Sequence, residues 1–305
     1  MQSTSHVFLV KPASFHFNAE TAVSNAFQKK IGLSEDTTSQ KAIEEFDAVV
    51  SLLKAEGVSV HVFKDTVDPP KPDAIFPNNW VSLHADETVV LYPMCAPNRR
   101  PERRQDIIDT LKTKFKISRI IDLSAYEIES KFLEGTGSIV FDHQNKIAYA
   151  CLSPRTDREL FINLSLQLGY KPVHFVAHDK KEKEIYHTNV MMCIGNQFTV
   201  ICLESITNST KRKVVFESLN NSGLEIIEIS LEQMNCFAGN MLLLRGANKD
   251  NLLVISQSAM ESLNDLQRKQ IGKYARIIPL PIKTIETIGG GSARCMIAEI
   301  FLPEI

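Results

Sequence analysis

The stretch from Ser138 to Val176, SIVFDHQNKIAYACLSPRTDRELFINLSLQLGYKPVHFV, reads as strand, turn, strand, helix, strand. Ser138 to Cys151 has apolar runs on both sides of a polar turn at Asp142 to Lys146, the pattern of a β-hairpin. Asp157 to Leu168 then carries apolar residues at helical spacing, with Leu160, Leu164 and Leu168 on one face. Pro172 to Val176 closes the unit as a short strand.

The unit recurs along the chain. Hairpins are expected at Ile75 to Tyr92, Thr188 to Leu203 and Met241 to Ile255, turning at His84 to Thr88, Gly195 to Gln197 and Gly246 to Asn251. Helices follow at Arg103 to Phe115, Lys211 to Asn220 and Asn264 to Lys273, and short strands at Arg119 to Leu123, Glu225 to Ile229 and Ile277 to Leu280. Phe76, Glu134, His187, Gly239 and Cys295 mark successive unit openings, separated by 58, 53, 52 and 56 residues. The last opening leads into one strand, Cys295 to Leu302. The chain begins with an unpaired strand, Val7 to Lys11, then a helix at Gln40 to Lys54 and a strand at Val58 to Phe63. Joined, the two ends make a fifth unit. The expected fold is therefore one α/β domain over residues 1–305, a closed ring of five ββαβ units sealed by its terminal strands. Such a ring has no free sheet edge.

Composition narrows the function. Hydrophobic residues make up 44% and charged residues 23% of the chain, ordinary values for a globular protein, and the net charge is -2. No basic tract marks a nucleic-acid partner. No apolar run approaches the ~18 residues of a membrane span, and Met1 to Val10 lacks the pattern of a secretory signal. Six cysteines without a C-x-x-C pair point to reduced thiols in the cytoplasm rather than to a disulfide scaffold or a structural zinc site. A small-molecule substrate is the expected partner, and a homo-oligomer is left open.

In a ring of such units the openings converge, so polar residues recurring there are candidates for one shared site. They read Asp73-Ala74-Ile75-Phe76-Pro77-Asn78-Asn79-Trp80, Glu134-Gly135-Thr136-Gly137, His187-Thr188-Asn189 and Gly289-Gly290-Gly291-Ser292-Ala293-Arg294-Cys295. Cys295 follows three glycines, which allow close backbone approach to a ligand, and a thiol there is either a buried strand cysteine or a nucleophile. Arg294 is its neighbour, but strand neighbours point to opposite faces. His187 titrates near neutrality and is the proton carrier of choice, or else a strand-end histidine. Glu134 orients that histidine, bonds a substrate N–H or is a solvated loop carboxylate. The nucleophilic reading rests on the three together, at equivalent points of one repeat. His174 and His178, four apart, lie on a strand rather than a helix, so a metal pair is discounted. Cys95, Cys151, Cys193, Cys202 and Cys236 are read as structural, and Asp179 to Glu184 as a solvated loop.

With these residues in place the chain resembles the pentein superfamily, the five-bladed β/α propellers of arginine-modifying enzymes. The resemblance spans nearly the whole chain. It rests on the opening Phe76 to Asn79, on Glu134-Gly135-x-Gly137, on His187-x-Asn189 and on the glycine run into Cys295-Met296. Within the superfamily it is most similar to the amidinotransferase-like, citrulline-utilisation hydrolases. The resemblance implies a Cys295 nucleophile, a His187 acid/base, a Glu134 carboxylate in contact with substrate and no metal or organic cofactor. It also implies contacts from Asp73, and from Arg100 (or Arg99) and Arg155 to a substrate carboxylate. Gly289, Gly290 and Gly291 would supply backbone donors.

Two departures are informative. Arginine deiminases resemble this chain but carry Asp where it has Asn79 and Asn189. A buried guanidinium without those carboxylates lacks compensation, whereas Asn both donates to a carbonyl and accepts from an NH2. The substitutions point to a neutral ureido group, as in citrulline, giving ornithine, carbon dioxide and ammonia through a cysteine adduct. An arginine deiminase, dihydrolase or amidinotransferase is the nearest rival. A non-catalytic ribosome-binding propeller, built on the same fold, is the rival of another class.

Overall fold

The structure is a computed structural model describing residues 1–305. From the N-terminus, β1 (His6–Lys11) is followed by the helix Glu35–Ala55 and by β2 (Ser59–Lys64). The hairpin β3 (Val81–Leu83) and β4 (Thr88–Leu91) leads through the helix Gln105–Lys112 to β5 (Arg119–Asp122). Next come β6 (Ile139–Asp142), β7 (Ile147–Cys151), the helix Arg158–Gln167 and β8 (Lys171–Phe175). The fourth set is β9 (Met192–Ile194), β10 (Phe198–Ile201), the helix Ser209–Asn221 and β11 (Glu225–Glu228). The fifth is β12 (Leu242–Arg245), β13 (Asn251–Ser256), the helix Asp265–Gly272 and β14 (Arg276–Leu280), before the closing strand β15 (Ala298–Glu299).

These strands form five three-stranded sheets. In each, the middle strand pairs antiparallel with its hairpin partner and parallel with the strand after the helix, as where Ala150 of β7 faces Ile139 and His174. The first sheet obeys the same rule with its outer strand taken from the other end of the chain: β1 runs parallel to β2 and antiparallel to β15. The arrangement is consistent with the five-unit ring expected from the repeat. Middle strands have apolar centres, as in Leu252 to Ile255 of β13, because both their faces are covered.

Three expectations are corrected. Cys295 to Leu302 is not one strand: only Ala298 and Glu299 pair with β1, since Ser292 to Ile297 forms tight turns, with Cys295 N donating to Ser292 O at 2.9 Å. Similarly, Ile75 to Trp80 is a turn and β3 begins at Val81. The unit openings therefore carry their polar residues on turns, where each side chain takes its own direction. The first helix begins five residues before its expected start, at Glu35. Its Ser34 cap accepts from Thr37 N, and the polar first turn hid it from an apolar pattern. Cys151, Cys193 and Cys202 are buried, whereas Cys236 is exposed and Cys95 half-buried. No helix is long and apolar enough to cross a membrane.

Candidate active site

Opening turns from three of the five units line one small cavity. Its wall comprises Phe76, Asn79 and Asp73 from the first turn, Tyr186 and His187 from the third, and Gly289 to Gly291 with Cys295 from the last. Arg99, Arg155 and Asn25 complete it. Glu134 stands immediately behind His187, so the expected trio is brought together.

Glu134 has no exposed surface. Its Oε1 accepts from Cys95 N at 3.0 Å and its Oε2 from His187 Nε2 at 2.8 Å, with Arg155 Nη1 3.5 Å away. Burial alone would raise its pKa, but the Arg155 charge and the His187 hydrogen bond outweigh it and hold the carboxyl well below the usual range. Burial lowers His187 to about 4 despite Glu134. At neutral pH the pair is a carboxylate beside a neutral imidazole. The carboxylate fixes the proton on Nε2 and leaves the lone pair on Nδ1.

Cys295 is 3% exposed. Its Sγ accepts from Asn240 Nδ2 at 3.3 Å and Asn189 Nδ2 at 3.4 Å. Arg294 points away from it, donating to Ile297 O and pairing with Glu299 at 2.9 Å. The preceding glycines lie against the Phe76 ring, where a Cβ on Gly289 or Gly291 would come within 2.9 Å of ring carbons. Gly290 has a φ of 62°, a conformation that favours glycine, and its carbonyl accepts from Tyr186 Oη at 2.6 Å and Asn25 Nδ2 at 3.1 Å.

Asp73 is the carboxylate in the wall. Its Oδ2 accepts from Asn18 Nδ2 at 2.8 Å and Thr21 Oγ1 at 3.0 Å, while Oδ1 is buried with no hydrogen bond. Asn79 is committed within the chain: Oδ1 accepts from Arg99 Nη1 at 2.8 Å, and Nδ2 donates to Asn78 Oδ1 at 3.0 Å. Asn189 lies against the sulfur, and its Oδ1 is a second buried acceptor without a partner.

The arginines divide. Arg99 faces the cavity, bound in bidentate fashion by Glu102 at 2.9 and 2.8 Å, whereas Arg100 turns outward to Met94 O and lies 3.4 Å from Glu127. Pro97–Glu102 is a 3-10 turn, in which side chains three apart eclipse, so Glu102 stacks on Arg99 and Arg100 is swung away. Geometry thus puts the alternative, Arg99, in the wall and Arg100 outside it. Arg155 is 2% exposed, lies over the Tyr186 ring and donates to Ser24 Oγ and Thr21 O at 2.8 Å. Through these bonds the segment from Asn18 to Asn25 covers the cavity, a stretch with no apolar periodicity to announce it. Asn240 and Tyr186 also escaped sequence reading. The repeat spacing pointed to Gly239, one residue short of Asn240, whereas Tyr186 had no signal beyond its place beside His187.

Chemically, a thiol held by two amide N–H groups, a neutral imidazole oriented by a carboxylate and two buried acceptors make a site for nucleophilic attack on a polar carbon carrying N–H groups. Known proteins agree on the fold. The N-terminal domain of ArgZ, an arginine dihydrolase from the ornithine-ammonia cycle in cyanobacteria, solved with substrate, superposes with a TM-score of 0.76 at 14% identity, covering 98% of each chain. Full-length ArgZ matches at 15% identity and a TM-score of 0.76, and the present chain spans 41% of it. A dimethylarginine dimethylaminohydrolase variant, solved as an adduct with S-methyl-L-thiocitrulline, matches at a TM-score of 0.66 and 17% identity, covering 98% of this chain and 100% of that one. A search of curated proteins by sequence finds no match. A family profile described as N,N dimethylarginine dimethylhydrolase, eukaryotic, matches residues 11–302. The chain belongs to this family of hydrolases, within the pentein superfamily.

Proposed function

We propose that this protein hydrolyses the C–N bonds of a ureido group carried by an arginine-related amino acid, with citrulline as substrate. The observation that carries the reading is the amide lining of the nucleophile. The groups on the Cys295 sulfur are Asn189 and Asn240, and the next polar group of the first turn is Asn79. A guanidinium is a cation and calls for carboxylates at this position. A ureido group is neutral, and its N–H groups match the unpaired Oδ1 of Asn189.

The reaction proceeds in two halves. His187 Nδ1 takes the Cys295 proton as the sulfur attacks the ureido carbon, and the tetrahedral intermediate expels a nitrogen protonated by His187. A thiocarbamate remains on Cys295. His187 then takes a proton from water, which attacks the same carbon and releases the sulfur. The carbamate formed on cleavage breaks down, and the sum is citrulline plus water to ornithine, carbon dioxide and ammonia. At the other end, Asp73 Oδ1 suits the substrate ammonium and Arg155 its carboxylate.

A guanidino substrate is the second reading. The unbonded Asp73 Oδ1 is a buried acceptor for a cationic N–H, and the structurally similar ArgZ is an arginine dihydrolase. A product assay separates the two. Ornithine formed from citrulline, and lost in Cys295→Ala, supports the ureido reading. Turnover of arginine without turnover of citrulline rejects it.

A further inference from the structure

Four of the five unit openings bring a side chain with an expected part in the chemistry: Asn79, Glu134, His187 with Asn189, and Cys295. The opening at Gly239 and Asn240 brings none. We propose that Asn240 is this unit's contribution, a group that holds the Cys295 sulfur through its amide N–H and stabilises it as the attacking thiolate. The proposal rests on the reading of Cys295 as nucleophile, and not on which substrate is turned over.

The orientation of the amide is settled by its other partners. Asn240 is fully buried. Its Oδ1 accepts from Arg294 N at 2.9 Å, and its Nδ2 donates to Asn189 O at 2.9 Å as well as to Cys295 Sγ at 3.3 Å. A backbone N–H only donates and a carbonyl only accepts, so the flipped amide would break both backbone bonds. An N–H therefore faces the sulfur. Nor can the turn retreat: a Cβ on Gly239 would lie 2.4 Å from Val190 O, so this turn is packed hard against the one that carries His187 and Asn189. Asn240 thus ties three turns together and leaves one donor for the nucleophile.

A sulfur flanked by two amide N–H groups is better suited as an anion than as a thiol, since a hydrogen bond to a charged acceptor is the stronger one. Once a carbon is attached, the sulfur is neutral and the two bonds weaken. Hydrolysis of the adduct restores them. Asn240 so favours the sulfur as nucleophile in the first half and as leaving group in the second.

The test needs no substrate. In alkylation by iodoacetamide the thiolate displaces iodide, forming a C–S bond while the thiol proton passes to solvent, so the rate follows the thiolate fraction. The rate at the Cys295 peptide is measured by mass spectrometry between pH 5 and 10. Asn240→Asp keeps the acceptor for Arg294 N and the side-chain shape but replaces the donor with a carboxylate oxygen. It is expected to move the alkylation midpoint up by at least about one pH unit, a tenfold slower reaction at pH 7. Asn240→Ala is expected to move it the same way by less, and decides the question where the aspartate variant does not fold. Variants with wild-type near-UV circular dichroism and a wild-type alkylation profile overturn the proposal, whatever their turnover. A wild-type Cys295 that alkylates like an ordinary thiol, with a midpoint near ~8.5, overturns the proposal but leaves the nucleophile reading, in which His187 takes the thiol proton during attack, standing.

Discussion

Adding one methyl group at Gly137 tests the catalytic geometry without removing a polar atom. A Cβ built there lies 2.5 Å from Asn79 Nδ2, 2.7 Å from His187 Nδ1 and 2.8 Å from His187 Cε1. Ordinary van der Waals contact begins at 3.4 Å, so the imidazole must give way by about 0.7 Å. The ring cannot swing freely. Its Nε2 is bonded to Glu134 at 2.8 Å, and its centroid lies 4.7 Å from that of the tilted Tyr186 ring. In Gly137→Ala the nitrogen proposed to carry the proton is displaced from its position in the wall. A misplacement on the order of 1 Å costs about 10²-fold in rate. Overpacking a tight site also destabilises the fold by about 1–3 kcal/mol. The expected result is a kcat lowered roughly 10²-fold with a smaller change in KM, in a protein still folded by thermal melting. The assay is steady-state ornithine release, with the melting temperature measured on the same sample. A variant that is folded and retains wild-type kcat refutes the assignment of His187 Nδ1 as the proton carrier.

Three further outcomes follow from the same geometry. Burial lowers His84 to about 4, as it does His187, whereas the unfolded chain takes up those protons near ~6.5. Stability contributed by keeping both rings neutral is full above pH ~6.5 and is lost as pH falls toward 4, by roughly 3 kcal/mol at His84; urea unfolding that is flat over this window contradicts the burial argument, and His84→Asn should flatten it in part. Arg99→Met strands the buried Glu102 and should cost about 3–5 kcal/mol, while Arg99→Met with Glu102→Met costs less because no charge is left unpaired; equal losses in chemical denaturation rule out the buried-pair account. Restoring carboxylates in Asn79→Asp/Asn189→Asp should raise the ratio of arginine to citrulline kcat/KM by at least about tenfold; an unchanged ratio shows that the amides do not select for a neutral substrate.

Much of the architecture was legible because each unit alternates two periods. The hairpin Ser138 to Cys151 and the leucines of Arg158–Gln167 announce themselves locally, and the repeat spacing then places every other unit. The trio was legible for the same reason, since Glu134, His187 and Cys295 stand at equivalent points. What escaped lies where side-chain direction decides. Arg99 and Arg100 are indistinguishable in sequence, and the eclipsed i, i+3 geometry of a 3-10 turn separates them. Asn189 was expected to meet the substrate; that its amide nitrogen also meets the sulfur had no signal in the sequence. The covering segment around Asn18 to Asn25 owes its position to polar bonds with Arg155, Asp73 and Gly290, which leave no periodic trace in the chain.

The central claim is a covalent ureido adduct on Cys295. Enzyme mixed with citrulline labelled at the ureido carbon, quenched in acid during turnover and digested, reports it directly by mass spectrometry. The account predicts the labelled carbon on the Cys295 peptide, appearing and decaying with ornithine release, and absent in Cys295→Ala. Labelled carbon dioxide released at the wild-type rate by Cys295→Ala would contradict it.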